Sequence, residues 1–276
     1  MHALLGGIGP LYEKLYKDSM ATAEHYNLFR PMTPDEADIL ISGEIRKTSR
    51  NRRNHAQLDP QGQHLVCFAG GMFALGSKLF DIEQHMEIAK KLTAGCIWAY
   101  RALPLGIMPE KFRMLPCPSR EECAWNETAW KDRVLVENPD HDVEETIRNL
   151  RLPEGFTEIV DTRYVLRPEA IESVFLLYRM TGDPDLLEAA WSMWTSISLA
   201  TQTRLGGNAA LSDVTVSLTE WAISGDQYKM DSMESFWMAE TLKYFYLMFS
   251  EPELISLDEW VFNTEAHPLK RRLPSR

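Results

Sequence analysis

Apolar residues recur at helical spacing through much of the chain. Ile171, Val174, Phe175 and Tyr178 follow i, i+3, i+4, i+7 and predict a helix over 169–181. Gly182 ends it and Pro184 follows two residues later, a common stop pattern. The next helix carries Leu187, Ala190, Trp191, Trp194 and Ile197 on one side. A further one is predicted from Ser232 to Phe249, with Asp231 as cap, Glu234 three residues on, and Met233, Phe236, Trp237, Tyr244, Phe245 and Met248 as its apolar face. Earlier helices are expected over 10–25 and 83–102. Between them, Ala69-Gly70-Gly71, Leu103-Pro104-Leu105-Gly106 and Leu205-Gly206-Gly207-Asn208 read as turns. There is no βα alternation, long linker or low-complexity tract. Residues 115–160 are polar with scattered prolines and read as an excursion between two helices. Serial helical hairpins predict an all-α toroid or solenoid.

Composition narrows the function classes. With 276 residues and 45% hydrophobic content, the chain can fill one large core or two small ones. Eight Trp, eleven Phe and nine Tyr suit a big interior or a groove lined with rings. A net charge of −11 disfavours nucleic acid as a partner. No apolar run approaches the length of a membrane span. Met1–Gly7 lacks a basic start and long apolar run, so it does not read as a signal peptide. Cys117 and Cys123, six apart, could close a small loop, and Cys67 and Cys96 lie 29 apart. Asn126-Glu127-Thr128 is a glycosylation triplet, meaningful only in a secretory compartment.

The chemistry-bearing positions are mostly carboxylates. Pro168 suits a first helical turn, which puts Glu169 at a helix N-terminus where the dipole favours its ionised form. An ionised carboxylate there can serve as general base, or simply stabilise the helix start. Arg167 offers a bidentate partner for a carboxylate or sugar hydroxyls. Glu110 also follows a proline, and two such carboxylates invite the idea of a glycosidase pair; a solvated loop Glu is the plainer alternative. Glu240 lies between Phe236 and Tyr244 on an aromatic face, where a carboxylate is costly unless paired or bound, and Lys243 is near enough to pair. His64, before Leu65-Val66-Cys67-Phe68, reads as structural on its own. At the C-terminal end, Thr264 combines a carbonyl and a hydroxyl, hard oxygens of the kind calcium takes, and Glu265 adds a carboxylate. HExxH, GxSxG, Cys/His metal clusters and phosphate-binding glycine loops do not occur, which disfavours those enzyme classes.

Five stretches in order resemble glycoside hydrolase family 47, the class I α-1,2-mannosidases. They are His64 through Gly76, Leu166-Arg167-Pro168-Glu169 with Glu172-Ser173, Tyr178-Arg179 with Thr181-Gly182-Asp183-Pro184, Glu240 through Tyr244, and 261–269. The resemblance looks closest to fungal members. It implies an (α/α)₇ barrel with short β-hairpins in loops, of which residues 1–269 would be the C-terminal part and 270–276 a tail. It implies inverting hydrolysis of α-1,2-linked mannose from high-mannose N-glycans, with Ca²⁺ as cofactor. By resemblance, Thr264 is the direct calcium ligand, Glu169 the base and Glu110 a second active-site acid with a proton-donor role. Arg167, Phe236, Glu240, Glu265 and His64 are pocket residues, and Cys67 and Cys96 are a disulfide pair. The implied location is the endoplasmic reticulum or Golgi lumen, or secretion. Gln63 departs from the Asp of endoplasmic-reticulum-type members. The family's main acid and an aspartate are expected outside this sequence, so the chain alone is expected to hydrolyse poorly and to expose a broad apolar face. A mannose-glycan-binding quality-control relative or pseudoenzyme fragment is the alternative.

Overall fold

The computed structural model describes residues 9–50, 53–139 and 142–271. Met1–Gly7 and most of the expected tail, 272–276, lie outside the described residues. The helices are α1 (Gly9–Tyr26), α2 (Phe68–Phe80), α3 (Glu83–Ala102), α4 (Glu127–Glu137), α5 (Val143–Asn149), α6 (Glu169–Thr181), α7 (Pro184–Thr201), α8 (Leu218–Ser224) and α9 (Leu242–Met248). A 3₁₀ turn, His64–Cys67, leads into α2, and a π-helical turn, Trp237–Thr241, leads into α9.

Helix α6 is the hub. It packs against α2, α3, α7 and α9, and every residue from Glu169 to Leu177 is buried. Its predicted span holds, because Gly182 takes the left-handed conformation (φ 71°) and returns its N–H to the Tyr178 carbonyl. The span of α3 also holds.

Three local expectations change. Gly70 and Gly71 lie inside α2 rather than in a turn. A Cβ on Gly70 would sit 2.4 Å from Thr93 Oγ1 of α3, and one on Gly71 2.8 Å from Leu176 Cδ1 of α6, so glycine here permits close helix approach. The buried stripe of α7 is Leu186, Ala189, Ala190, Met193, Ile197 and Ala200, which leaves Trp191 exposed. The helix expected from Ser232 begins later. Ala210 donates to the Ser232 carbonyl (2.9 Å) and accepts from Met230 (2.8 Å), which holds 230–232 extended beside another segment. Asp231 therefore caps nothing, and Met233 is exposed.

Small antiparallel pairings join the helices. Strands β1 (Leu28–Phe29) and β2 (Ile41–Ser42) pair, as do β3 (Glu44–Arg50) and β4 (Arg53–Asp59). Strands β5 (Gln61–Gln63), β6 (Lys111–Met114) and β7 (Phe156–Asp161) form one sheet in that order. Strands β8 (Trp260–Phe262) and β9 (Pro268–Lys270) form a C-terminal hairpin, so β9 reaches one residue into the segment read as tail. The three-stranded sheet aligns the segments that run on into His64, Glu110 and Arg167. The excursion at 115–160 holds α4 and α5 around a second small core of Trp130, Val134 and Leu152. Disulfides join Cys67 to Cys96, fixing the 3₁₀ turn to α3, and Cys117 to Cys123. Among the described residues, no helix is long and apolar enough to cross a membrane.

Candidate active site

The N-terminus of α6 meets the sheet end, the π-helical turn and the C-terminal hairpin. Leu166, buried at φ 66°, turns the chain sharply before Arg167-Pro168-Glu169. Such a conformation costs of order 1–3 kcal/mol in a non-glycine residue. It is fixed here by the Thr241 hydroxyl, which donates to the Leu166 carbonyl (2.7 Å). Ala266, also buried at positive φ (54°), plays the matching part after Thr264 and Glu265, and Lys243 Nζ donates to its carbonyl (2.7 Å). The expected Lys243–Glu240 pair is thus replaced by a tie between α9 and the hairpin turn. Phe262 of β8 packs on Phe175 and Tyr244, which seats the hairpin on α6 and α9.

Glu169 is buried. Its Oε2 accepts from His64 Nδ1 (2.9 Å), and Arg167 lies 3.6 Å from its Oε1. Burial pushes the carboxyl up, but the His64 hydrogen bond and charge, the α6 backbone and Arg167 outweigh it and hold Glu169 below its ordinary range. His64, fully buried, reaches Tyr100 of α3 through Nε2 (2.7 Å). Since an ionised carboxylate only accepts, Nδ1 carries the proton, and Nε2 shares its hydrogen bond with the Tyr100 hydroxyl. The isolated histidine of the sequence is therefore the middle of a Tyr100–His64–Glu169 chain.

Glu110 is buried rather than solvated. Its Oε2 accepts from Arg167 Nε (2.6 Å) and its Oε1 from the Val165 N–H (3.4 Å). The Glu110 backbone ties the sheet end together, accepting from His64 N (3.0 Å) and donating to the Arg163 carbonyl (2.9 Å). Arg167 also lies over the Phe236 ring, 5.9 Å from its centroid.

Glu172, one turn along α6, is the residue whose weight local sequence did not reveal. It is buried and accepts from the Tyr244 hydroxyl (2.7 Å). Burial, opposed by that hydrogen bond and reinforced by the charges of Glu169 and Glu240, pushes it up to about 7. Glu240, on the π-helical turn and half-buried, is raised by burial and by Glu169 and Glu265, against Lys243 and His267. Four carboxylates, Glu169, Glu172, Glu240 and Glu265, thus share one field with excess negative charge. Thr264 and Glu265 are exposed at the hairpin turn. Among the described residues no three acidic, His or Cys side chains converge as a ready metal cage. Among the described residues the Thr264 hydroxyl and carbonyl make no hydrogen bond, because Asn263 takes the turn's N–H groups from Glu265, Ala266 and His267.

The central helix thus presents a held carboxylate beside an arginine, an aromatic ring and further carboxylates. The sequence matches glycosyl hydrolase family 47 along residues 1–271, and the chain belongs to that family. It is 32% identical over 98% of its length to the Drosophila melanogaster mannosyl-oligosaccharide alpha-1,2-mannosidase IA, and covers 35% of that protein. It is 35% identical over 78% of its length to the Homo sapiens endoplasmic reticulum mannosyl-oligosaccharide 1,2-alpha-mannosidase, and covers 26% of it. The fold matches an alpha-1,2-mannosidase from Trichoderma reesei with a TM-score of 0.72 and 25% identity, over 95% of this chain and 47% of that one. The chain therefore spans about a third of the length of the curated relatives it matches.

Proposed function

We propose that this chain carries the base side of an inverting α-1,2-mannosidase site for high-mannose N-glycans, as the C-terminal part of an (α/α)₇ barrel. The observation that carries the reading is Glu169: buried, at a helix start, and held ionised by His64 and Arg167. A buried but ionised carboxylate can take a proton from water, the base role of an inverting glycosidase. Arg167 and Phe236 offer a donor and a ring face to a mannose residue. Glu110 holds Arg167 in place by accepting from its Nε, and stands as the second active-site acid beside Glu169.

Calcium fits the oxygens at the hairpin turn. Thr264 would hold it through hydroxyl and carbonyl, and the excess charge of Glu169, Glu172, Glu240 and Glu265 favours a hard cation. When bound, the ion would supply hard coordination for sugar hydroxyls. Glu240 and Glu265 face the same space and can accept from glycan hydroxyls. The two disulfides, and the endoplasmic reticulum in the human relative's name, favour the secretory lumen.

A non-catalytic glycan-binding role is the second reading. The test is titration of high-mannose glycan into the chain with and without calcium, alongside release of free mannose. The proposed reading expects binding that is lost with a chelator, and any release to fall at least ~10²-fold in Glu169→Gln. Binding without release favours the second reading. Calcium-independent binding, or near-normal release by Glu169→Gln, refutes the first.

A further inference from the structure

One motif remains unused by the site. Asn126-Glu127-Thr128 is the only Asn-x-Ser/Thr triplet in the 276 residues. Such triplets arise by chance, so the local geometry decides. Asn126 is the N-cap of α4, in extended conformation (φ −135°, ψ 95°), and its Oδ1 accepts from the Ala129 N–H (3.0 Å). With Oδ1 turned in toward the helix, Nδ2 faces away from it and has no partner among the described residues. Asn126 and Thr128 are both exposed. Glu127, the charge between them, is drawn up the helix to Lys131 (2.6 Å).

The backbone at the triplet is well anchored. The Cys117–Cys123 disulfide ends three residues before it. Trp125 donates its N–H to Glu36 (3.1 Å), and its ring packs against Trp130, 5.7 Å between centroids. The triplet is thus held at the surface with its acceptor nitrogen outward.

We propose that Asn126 is an N-glycosylation site that takes an oligosaccharide from a lipid-linked oligosaccharyl diphosphate. The Asn126 Nδ2 forms a bond to C1 of the reducing-end sugar while the C1–O bond to the diphosphate breaks. The amide gives up one proton to the departing diphosphate or water, and the lipid diphosphate departs with the bonding electron pair. Asn126 keeps its Oδ1, so the cap on α4 survives the modification. The inference rests on the secretory placement proposed above.

The test is translation of the full chain, behind a cleavable leader, into microsomes bearing the transfer machinery. Protease-protected product is resolved by size and mass, before and after treatment with an N-glycan amidase. One oligosaccharide on most protected chains is expected, with Asn126 converted to Asp on its release. Thr128→Ala, which leaves the Oδ1 cap intact, should abolish the modification, and Thr128→Ser should restore it. Asn126→Asp should be unmodified yet keep the circular dichroism and melting profile of the parent. Protected chains without glycan would overturn the proposal, as would a glycan that persists in Thr128→Ala.

Discussion

Replacing Glu172 by Gln should stabilise the metal-free protein, by an amount that grows as pH rises from 4.5 to about 7. Glu172 is buried and its carboxyl is raised from 4.5 to about 7. Between those values the folded state holds a proton that the unfolded chain releases, so stability falls as pH rises through the window. The deficit is complete above pH 7. At roughly 1.4 kcal/mol for each pH unit the window spans, it amounts to about 3 kcal/mol. Gln keeps the shape, still accepts from the Tyr244 hydroxyl, and removes the charge that Glu169 and Glu240 repel. Urea unfolding in chelator should show a gain of about 3 kcal/mol for Glu172→Gln at pH 8 and near equality at pH 4. Calcium should then narrow the gap at pH 8 by stabilising the parent more than the variant. A variant destabilised equally at both pH values would refute the reasoning, since the loss would then come from packing rather than charge.

Thr264→Ala removes the hydroxyl and leaves the carbonyl, so calcium affinity should weaken without vanishing; unchanged affinity by calorimetric titration would remove Thr264 from the site. Breaking the Cys67–Cys96 bridge by Ala replacement should cost about 3–4 kcal/mol by the chain-entropy relation, read from denaturant midpoints. Tyr100→Phe strips the partner from His64 Nε2 and leaves a buried polar nitrogen unpaired, at a cost of about 1–3 kcal/mol read from denaturant midpoints. The Nδ1–H proton bonded to Glu169 should persist in that variant, read by nitrogen NMR of the His64 ring.

The helix ends of α6 and α3 are readable because their signals are local: an apolar period, a proline at the start, a glycine at the stop. The start of the last long helix is not readable. Its capping pattern at Asp231 is overridden by pairing of 230–232 with Ala210, about twenty residues earlier in the chain. Trp191 misleads in a similar way, since a large apolar side chain at the right spacing need not face inward when Met193 fills the contact. The site splits along the same line. Glu169 and Arg167 announce themselves through Pro168. The importance of Glu172 depends on Tyr244, 72 residues away, and that of His64 on Tyr100 and Glu169. Such partners become visible only when the chain is folded, or, as here, when a family pattern stands in for the fold.

The two sides of the site belong to parts of the protein that open on different clocks. The amides of α6 lie under four neighbouring helices and should exchange with solvent only when the whole domain unfolds. The turn at Thr264 and Glu265 is exposed between two three-residue strands and should exchange through small, frequent openings. An ion gripped by that turn and facing the acids around α6 would fasten the fast side to the slow one. Slowed hydrogen exchange at 263–267, with none at 170–177, is the signature that calcium binding should leave.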